Sequence, residues 1–374
     1  MPHSVVIFGG CGFLGWHLVK HFVQNPEFAS VHIISRSATR SKFHIDGAIY
    51  HTGDLTDLDT IKRLILEIKP DVIIHAVTPS AVTGTSKEYE LVTIRGTQNL
   101  LKISKDSKYV QAFIYTSSST MAKGSEHLNL TEDCSLANED PQMPLYARAK
   151  AIADIMVLKA NNPLNKPSKS SSWEGHLSTA SLRLPIIYGS HDTQGIPGCL
   201  NALQNRQTNT ILGDGKNLWS FCSVHNAAKA HSLLASALLN PHSTRLPAAG
   251  QAFNINDGHP RLFWSYARTA WKYAGHKPSP NERTWYLPAG ALLALASFLE
   301  WFYWIFTMGR KRPFKLGRQQ VEYMCFTHTY CIEKARERLG FEPVDDFERG
   351  MEEAVLWALE DGGWRERLRG VVGS

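Results

Sequence analysis

Tyr146-Ala147-Arg148-Ala149-Lys150 places a phenol and an ammonium four residues apart, a spacing that sets both on one face of a helix. An ammonium beside a phenol favours the phenolate and lowers its pKa. Such a tyrosine takes a proton from an alcohol, or returns one to a carbonyl, near neutral pH. Upstream, Tyr115-Thr116-Ser117-Ser118-Ser119 closes an apolar run. A serine hydroxyl at a strand end can hydrogen-bond the reacting oxygen and hold it beside the tyrosine. The remaining serines serve the turn. A tyrosine and a lysine one turn apart are common on surface helices; the serine-rich strand end before them is what points to chemistry.

A second group of residues could hold the partner of such a reaction. Ser4-Val5-Val6-Ile7-Phe8 is β-branched and apolar, and Gly9, Gly10, Gly12 and Gly15 follow it directly. From Phe13 on, the apolar positions take helical spacing through Leu14, Leu18 and Phe22. The glycines therefore sit at a strand-to-helix turn. Glycine permits the backbone angles of that turn and lets a ligand approach the backbone. The helix start offers free N–H groups to an anion. Strand, G-x-G-x-x-G turn and helix together indicate a dinucleotide site.

The elements that must position these residues alternate. Val31–Ile34 and Ala48–His51 read as strands, Thr56-Asp57 caps a helix through Ile68, and Asp71–His75 is a further strand. A helix is expected over residues 87–104 and a fifth strand over Val110–Tyr115. This pattern predicts an α/β fold, a Rossmann-type doubly wound parallel sheet, with ligands outside the carboxyl ends of the strands. Residues 1–189 would form that dinucleotide-binding domain, with an exposed Pro/Lys/Ser-rich insertion at 161–172. Residues 190–374 would form a smaller, mostly helical substrate-binding region interleaved with the last strands.

Hydrophobic content of 43% and charged content of 20% are globular values, and a net charge of +6 without an early polybasic run gives no footprint for nucleic acid. Six scattered cysteines without a C-x-x-C pair suit a reducing, intracellular compartment and predict no metal site. The short apolar start is unlike a signal peptide. The segment 287–308 is apolar on nearly all faces, with Glu300 its one charge, and Gly309-Arg310-Lys311-Arg312 follows. It reads as a buried helix, a helix lying at a bilayer surface, or a span, which needs about 20 apolar residues. Each reading suggests that a large apolar molecule is handled nearby.

The glycines Gly9 to Gly15, Asp54-Leu55, Ser118, Tyr146 and Lys150 resemble the extended short-chain dehydrogenase/reductase superfamily. Four further stretches, Ile74–Pro79, Ser181–Gly189, Gly213–Asn217 and Val224–His231, together with the tail Lys334–Pro343, look like the 3β-hydroxysteroid dehydrogenase family. That family includes the decarboxylating sterol-4α-carboxylate 3-dehydrogenases. The resemblance covers nearly the whole chain and implies roles residue by residue. Tyr146 would be the general base, Lys150 its activator and a ribose contact, and Ser118 the anchor of the substrate oxygen. Gly9, Gly12, Phe13, Leu14 and Gly15 would hold the cofactor at the turn, Asp54 and Leu55 its adenine, and Pro185 would border the nicotinamide. Membrane association and dimer formation are common among relatives of this kind. The expected setting is the cytosol or the cytoplasmic face of a membrane such as the endoplasmic reticulum.

Two departures stand out. The family usually carries Asn where this chain has Thr93, within Val92-Thr93-Ile94-Arg95-Gly96-Thr97. NAD binders usually end the second strand with a carboxylate for the ribose 2′-OH; here Ser35-Arg36-Ser37 occupies that place. No acid repels a 2′-phosphate and Arg36 can pair with one, which favours NADP within an NAD(P) expectation. The other reading has Arg36 stacked on the adenine or facing solvent. The expected function is an NAD(P)-dependent oxidoreductase acting on a secondary alcohol or ketone of a steroid, sterol or terpenoid, with loss of a 4-carboxyl group as an extension. For that carboxylate Arg183 is one cationic candidate. The alternatives are a nucleotide-sugar epimerase or dehydratase and a non-catalytic NADP-sensing regulator. The apolar helix argues against the first, and the joint presence of Ser118, Tyr146 and Lys150 against the second.

Overall fold

The chain is seen in a computed structural model that describes residues 2–40, 43–164, 171–240, 246–278, 283–307 and 317–372. Its centre is a seven-stranded parallel sheet. In chain order the strands are β1 (His3–Phe8), β2 (Phe28–Ser35), β3 (Ala48–Thr52), β4 (Val72–His75), β5 (Ala112–Ser118), β6 (Ser178–Leu184) and β7 (Ala252–Asn254). They lie side by side as β7-β6-β5-β4-β1-β2-β3, so the order reverses between β1 and β4. That reversal opens a crevice at the carboxyl ends where a ligand can enter.

The helices that position the site are α1 (Phe13–Gln24), α2 (Leu58–Ile68), α3 (Gly96–Asp106), α4 (Leu145–Lys159) and α5 (Val224–Leu239). They cover both faces of the sheet, so its strands are apolar nearly throughout. Val5, Ile7, Ile33, Ile74 and Ile114 belong to the core on the side of α1 and α5, whereas Val6, Phe8, Ile73, Phe113 and Tyr115 belong to the core on the other. β7 follows residue 189 in sequence yet pairs with β6, Phe253 opposite Leu182. The second half of the chain thus completes the sheet of the first.

Three elements differ from expectation. β5 begins and ends later than residues 110–115, because its pairing with β6 continues through Ser118 opposite Leu184. The helix expected over 87–104 is interrupted. One turn at Ser86–Glu88 runs into seven residues of wide π-type turns, Tyr89–Arg95, before α3 resumes. The insertion at 161–172 lies partly outside the described residues; Asn162 bridges Leu177, and Trp173 beyond it is buried.

The apolar segment forms α6 (Ala289–Thr307), followed by α7 (Arg318–Cys325). The buried-helix reading does not hold. Only Leu292 and Ala296 are buried and pack on Val321 and Cys325 of α7. Leu295, Phe298, Trp301, Phe302, Tyr303, Trp304, Ile305 and Phe306 are exposed. Inward-facing residues recur at 292, 296 and 300, one turn apart, and Glu300 accepts a hydrogen bond from the Arg318 N–H at 2.8 Å. One stripe of the helix is tied to the protein and the rest is bare. The basic residues 310–312 lie outside the described residues.

Candidate active site

β1 enters the glycine turn and α1 leaves it. Gly9 has φ +89°, a conformation that only glycine adopts without strain. A Cβ on Gly15 would lie 2.0 Å from the Gly9 carbonyl oxygen, so the helix approaches the turn as closely as backbone allows. The Gly12 N–H donates to that same oxygen at 2.9 Å. Gly12 is the N-cap of α1 and no side chain caps it. The first N–H groups of α1 therefore face the crevice with no side-chain acceptor. A bare, side-chain-free helix start of this shape fits the pyrophosphate of a dinucleotide. Phe13 is partly buried and Leu14 buried at this start.

The residues expected around the adenine follow β2 and β3. Asp54 spends its carboxylate on the turn, accepting from the Thr56 N–H at 2.9 Å and hydroxyl at 2.8 Å. Leu55 is buried and packs on Gly96. Arg36, just past β2, is exposed and close enough to Glu88 to stabilise its carboxylate. Pro185 is partly buried between β6 and the strand Ile186–Tyr188.

At the end of β5 the chemistry-bearing side chains converge. The Ser118 hydroxyl stands beside the phenol of Tyr146, which enters on the first turn of α4. The Tyr146 ring lies edge-on to Tyr89, centroids 6.0 Å apart. Lys150, one turn on, is buried; its Nζ donates to the Thr116 carbonyl at 2.8 Å and sits 4.7 Å from the Tyr115 ring centroid. Burial lowers Lys150 to about 7, with Asp154 opposing the shift. The expectation of a lowered phenol is not met: burial raises Tyr146 and the Ser118 hydrogen bond only partly offsets it. The desolvation that disfavours the ammonium also disfavours the phenolate. Abstraction of a proton by Tyr146 is therefore favoured by rising pH.

A polar layer supports the site from behind. Thr97 donates its one hydroxyl proton to the Thr93 carbonyl at 2.5 Å, so it can only accept from His75 Nε2 at 3.0 Å. His75 is fully buried and lowered to about 3 by burial. It is a neutral strut joining β4 to the π-type turns. Thr93, at the expected Asn position, is buried with its hydroxyl unpartnered; its carbonyl, not its side chain, carries the link. Arg183 is not free for a substrate. It is buried, paired with Asp154 at 2.8 Å, and donates to the Glu132 carbonyl at 2.7 Å. The β6 position points it into α4 rather than the crevice.

Sequence reasoning passed over Thr120 and Tyr323. Ser118 Oγ lies 2.9 Å from Thr120 Oγ1, and Tyr323 of α7 stands beside Thr120. Thr120 carried a local signal, two residues beyond Ser118. Tyr323 carried none, because the tertiary fold alone brings α7 to this place. A cavity of about 700 Å³ opens between the end of α7 and the foot of α6, lined by Asn217, Tyr286, Pro288, Ala289, Cys325 and Phe326.

The model of one family, described as the 3-beta hydroxysteroid dehydrogenase/isomerase family, matches residues 6–288. Among curated proteins, the decarboxylating sterol-4-alpha-carboxylate 3-dehydrogenase of Schizosaccharomyces pombe is 32% identical, covering 96% of this chain and 98% of that protein. Its namesake in Saccharomyces cerevisiae is 31% identical, covering 96% and 98%. Among solved structures, a dTDP-glucose 4,6-dehydratase of Bacillus anthracis in complex with NAD superposes with TM-score 0.65 at 17% identity, over 98% of this chain and 100% of that one. That likeness concerns the fold.

Proposed function

The chain belongs to the 3-beta hydroxysteroid dehydrogenase/isomerase family, and on that premise we propose that it oxidises the 3β-hydroxyl of a sterol bearing a carboxyl group on the neighbouring carbon, which leaves as carbon dioxide. It is an NAD(P)-dependent oxidoreductase of the extended short-chain type. The observation that carries the reading is Tyr146 beside Ser118, one helical turn from buried Lys150, at the carboxyl end of the sheet. Relatives named for the decarboxylating reaction along nearly the full chain support the substrate class. Tyr146, Ser118 and Lys150 would equally serve a sugar-nucleotide enzyme, but the exposed apolar surface of α6 fits a lipid substrate better.

Gly9, Gly12 and Gly15, with the start of α1, would hold the pyrophosphate, and Lys150 the ribose. A bound nicotinamide supplies the acceptor for the hydride of the carbinol carbon. Ser118 holds the carbinol oxygen and Tyr146 takes its proton. The resulting β-keto acid loses carbon dioxide as the carbon–carbon bond to the carboxyl breaks. The electron pair passes to the ketone as an enolate, which recovers the proton held on Tyr146. The net products are a ketone, carbon dioxide and reduced cofactor. Arg36, with no acid at the end of β2, favours NADP over NAD.

The bare face of α6 supports docking on a lipid surface. Its length and mean hydropathy of 1.5 would suffice to cross a bilayer. The stripe Leu292, Ala296 and Glu300 fastened to α7 favours a helix lying in the interface. Arg310, Lys311 and Arg312 follow in sequence and complement anionic headgroups. The test of the reaction is turnover of 3β-hydroxysterols, with and without a 4-carboxyl group, with products identified by mass. Tyr146→Phe should lower kcat by about 10³-fold or more while cofactor affinity stays within about 2-fold. A ketone formed at the wild-type rate by that variant would refute the mechanism.

A further inference from the structure

Tyr146, Ser118, Thr120 and Tyr323 bring four hydroxyls together: Ser118 Oγ lies 2.9 Å from Thr120 Oγ1, with the Tyr146 phenol beside Ser118 and the Tyr323 phenol beside Thr120. The first two are occupied by the carbinol oxygen in the mechanism above. The last two have no part in it. Tyr323 is nevertheless held firmly. Its ring stacks on His328, centroids 5.0 Å apart and planes within 17°, and lies against Trp219 at 5.5 Å. Both supports belong to the four-stranded sheet of Arg261–Leu262, Leu218–Trp219, His328–Tyr330 and His127–Leu130. The second half of the chain thus delivers one fixed O–H to the edge of the catalytic pair.

A carboxylate on the carbon beside a carbinol carries its oxygens about one hydrogen-bond length from the carbinol oxygen, roughly 2.7–3 Å. That is the step from Ser118 to Thr120. The cation nearest in kind, Arg183, is committed to Asp154 and Glu132, and Lys150 is held at Thr116 behind Tyr146. We propose that Thr120 and Tyr323 are the specificity-determining pair that receives the substrate carboxylate. The assignment rests on the reaction proposed above and names the residues that recognise its distinguishing group. Neutral donors suit that group. A cation paired with the carboxylate would stabilise the charge where it stands, whereas the reaction must move that electron pair onto the ring. Two hydroxyls orient the group and let it leave uncharged.

The experiment uses the full chain with cofactor and two substrates, a 3β-hydroxysteroid and the same steroid with a 4-carboxyl group. It reads the ratio of kcat/KM for the carboxylated over the plain substrate. Tyr323→Phe should lower that ratio by about 10- to 100-fold, mostly through KM, since hydrogen bonds to a charged group are the stronger kind. Thr120→Val should lower it in the same direction, and Thr120→Ser should restore it. These two variants carry the test if Tyr323→Phe fails to fold. A ratio unchanged in Tyr323→Phe and Thr120→Val, while both oxidise the two substrates, overturns the assignment and leaves the reaction standing. A wild-type protein that binds cofactor and oxidises neither steroid overturns both.

Discussion

Tyr146 and Lys150 are a pair whose charges are set by burial more than by each other. Burial takes Lys150 down to about 7 and pushes Tyr146 up. The pocket thus delays the phenolate until something shares the charge, and the Ser118 hydroxyl is the partner present to do so. Arg36 acts at the same scale on a different part of the site. It is exposed past the end of β2. Arg36→Asp removes a cation and adds an anion where a 2′-phosphate would sit. The ratio of NADP to NAD affinity should fall by 10-fold or more, from charge-assisted bonds worth roughly 1.5–3 kcal/mol. Titration of the purified variant with each cofactor checks this. An unchanged ratio would mean that Arg36 faces solvent or stacks without reading the phosphate.

At the scale of elements, two helices do unusual work. The π-type turns of Tyr89–Arg95 bring Tyr89 against Tyr146 and expose the Thr93 carbonyl to Thr97. With threonine at position 93, a main-chain oxygen rather than a side chain makes the link to Thr97. α6 presents aromatic residues to solvent at Phe298, Trp301, Phe302, Trp304 and Phe306. Few soluble proteins leave such a face open without a partner. Trp301→Ala with Trp304→Ala should lower partition onto phosphatidylcholine/phosphatidylserine vesicles about 100-fold, on ~1.5 kcal/mol for each buried side chain. Sedimentation with vesicles measures it. Turnover of a detergent-dispersed steroid should change far less, since both side chains are exposed on α6. Equal partition of variant and parent would remove α6 from the membrane argument.

For the whole molecule, burial of neutral histidines predicts sensitivity to acid. His17 and His231 are lowered to about 4, and His75 and His328 to about 3, each first by desolvation. An unfolded histidine takes its proton near 6.5 and the folded ones do not. As pH falls below 6.5 the unfolded chain binds more protons, so stability decreases, and the loss ends only below pH 3–4. Near pH 5 these four residues release the fold with uptake of up to about four protons. Asp192 and Asp257, both raised by burial, act in the opposite sense by binding protons first in the folded state. Melting followed by circular dichroism from pH 7 to 5 should show a steadily falling Tm. His231→Gln should flatten the fall by about one proton, because the glutamine does not titrate. A Tm independent of pH over that range would contradict the assignment of neutral imidazoles.

The sheet, the glycine turn and the pair Tyr146–Lys150 were legible in the residues because each rests on local chemistry. Strand apolarity has a short period, glycine permits a conformation others avoid, and four residues make one helical turn. Family resemblance added the role expected of Ser118 and the substrate class expected. What required tertiary structure depends on elements far apart in the chain meeting. Arg183 looked available until β6 turned it onto Asp154 of α4. The apolar helix suited three environments until α7 was seen to fasten one stripe of it and leave the rest bare. Tyr323 has no motif, and it comes beside Thr120 only because the tertiary fold sets α7 there. Local spacing determined which residues can do chemistry; long-range packing decided which of them stand together.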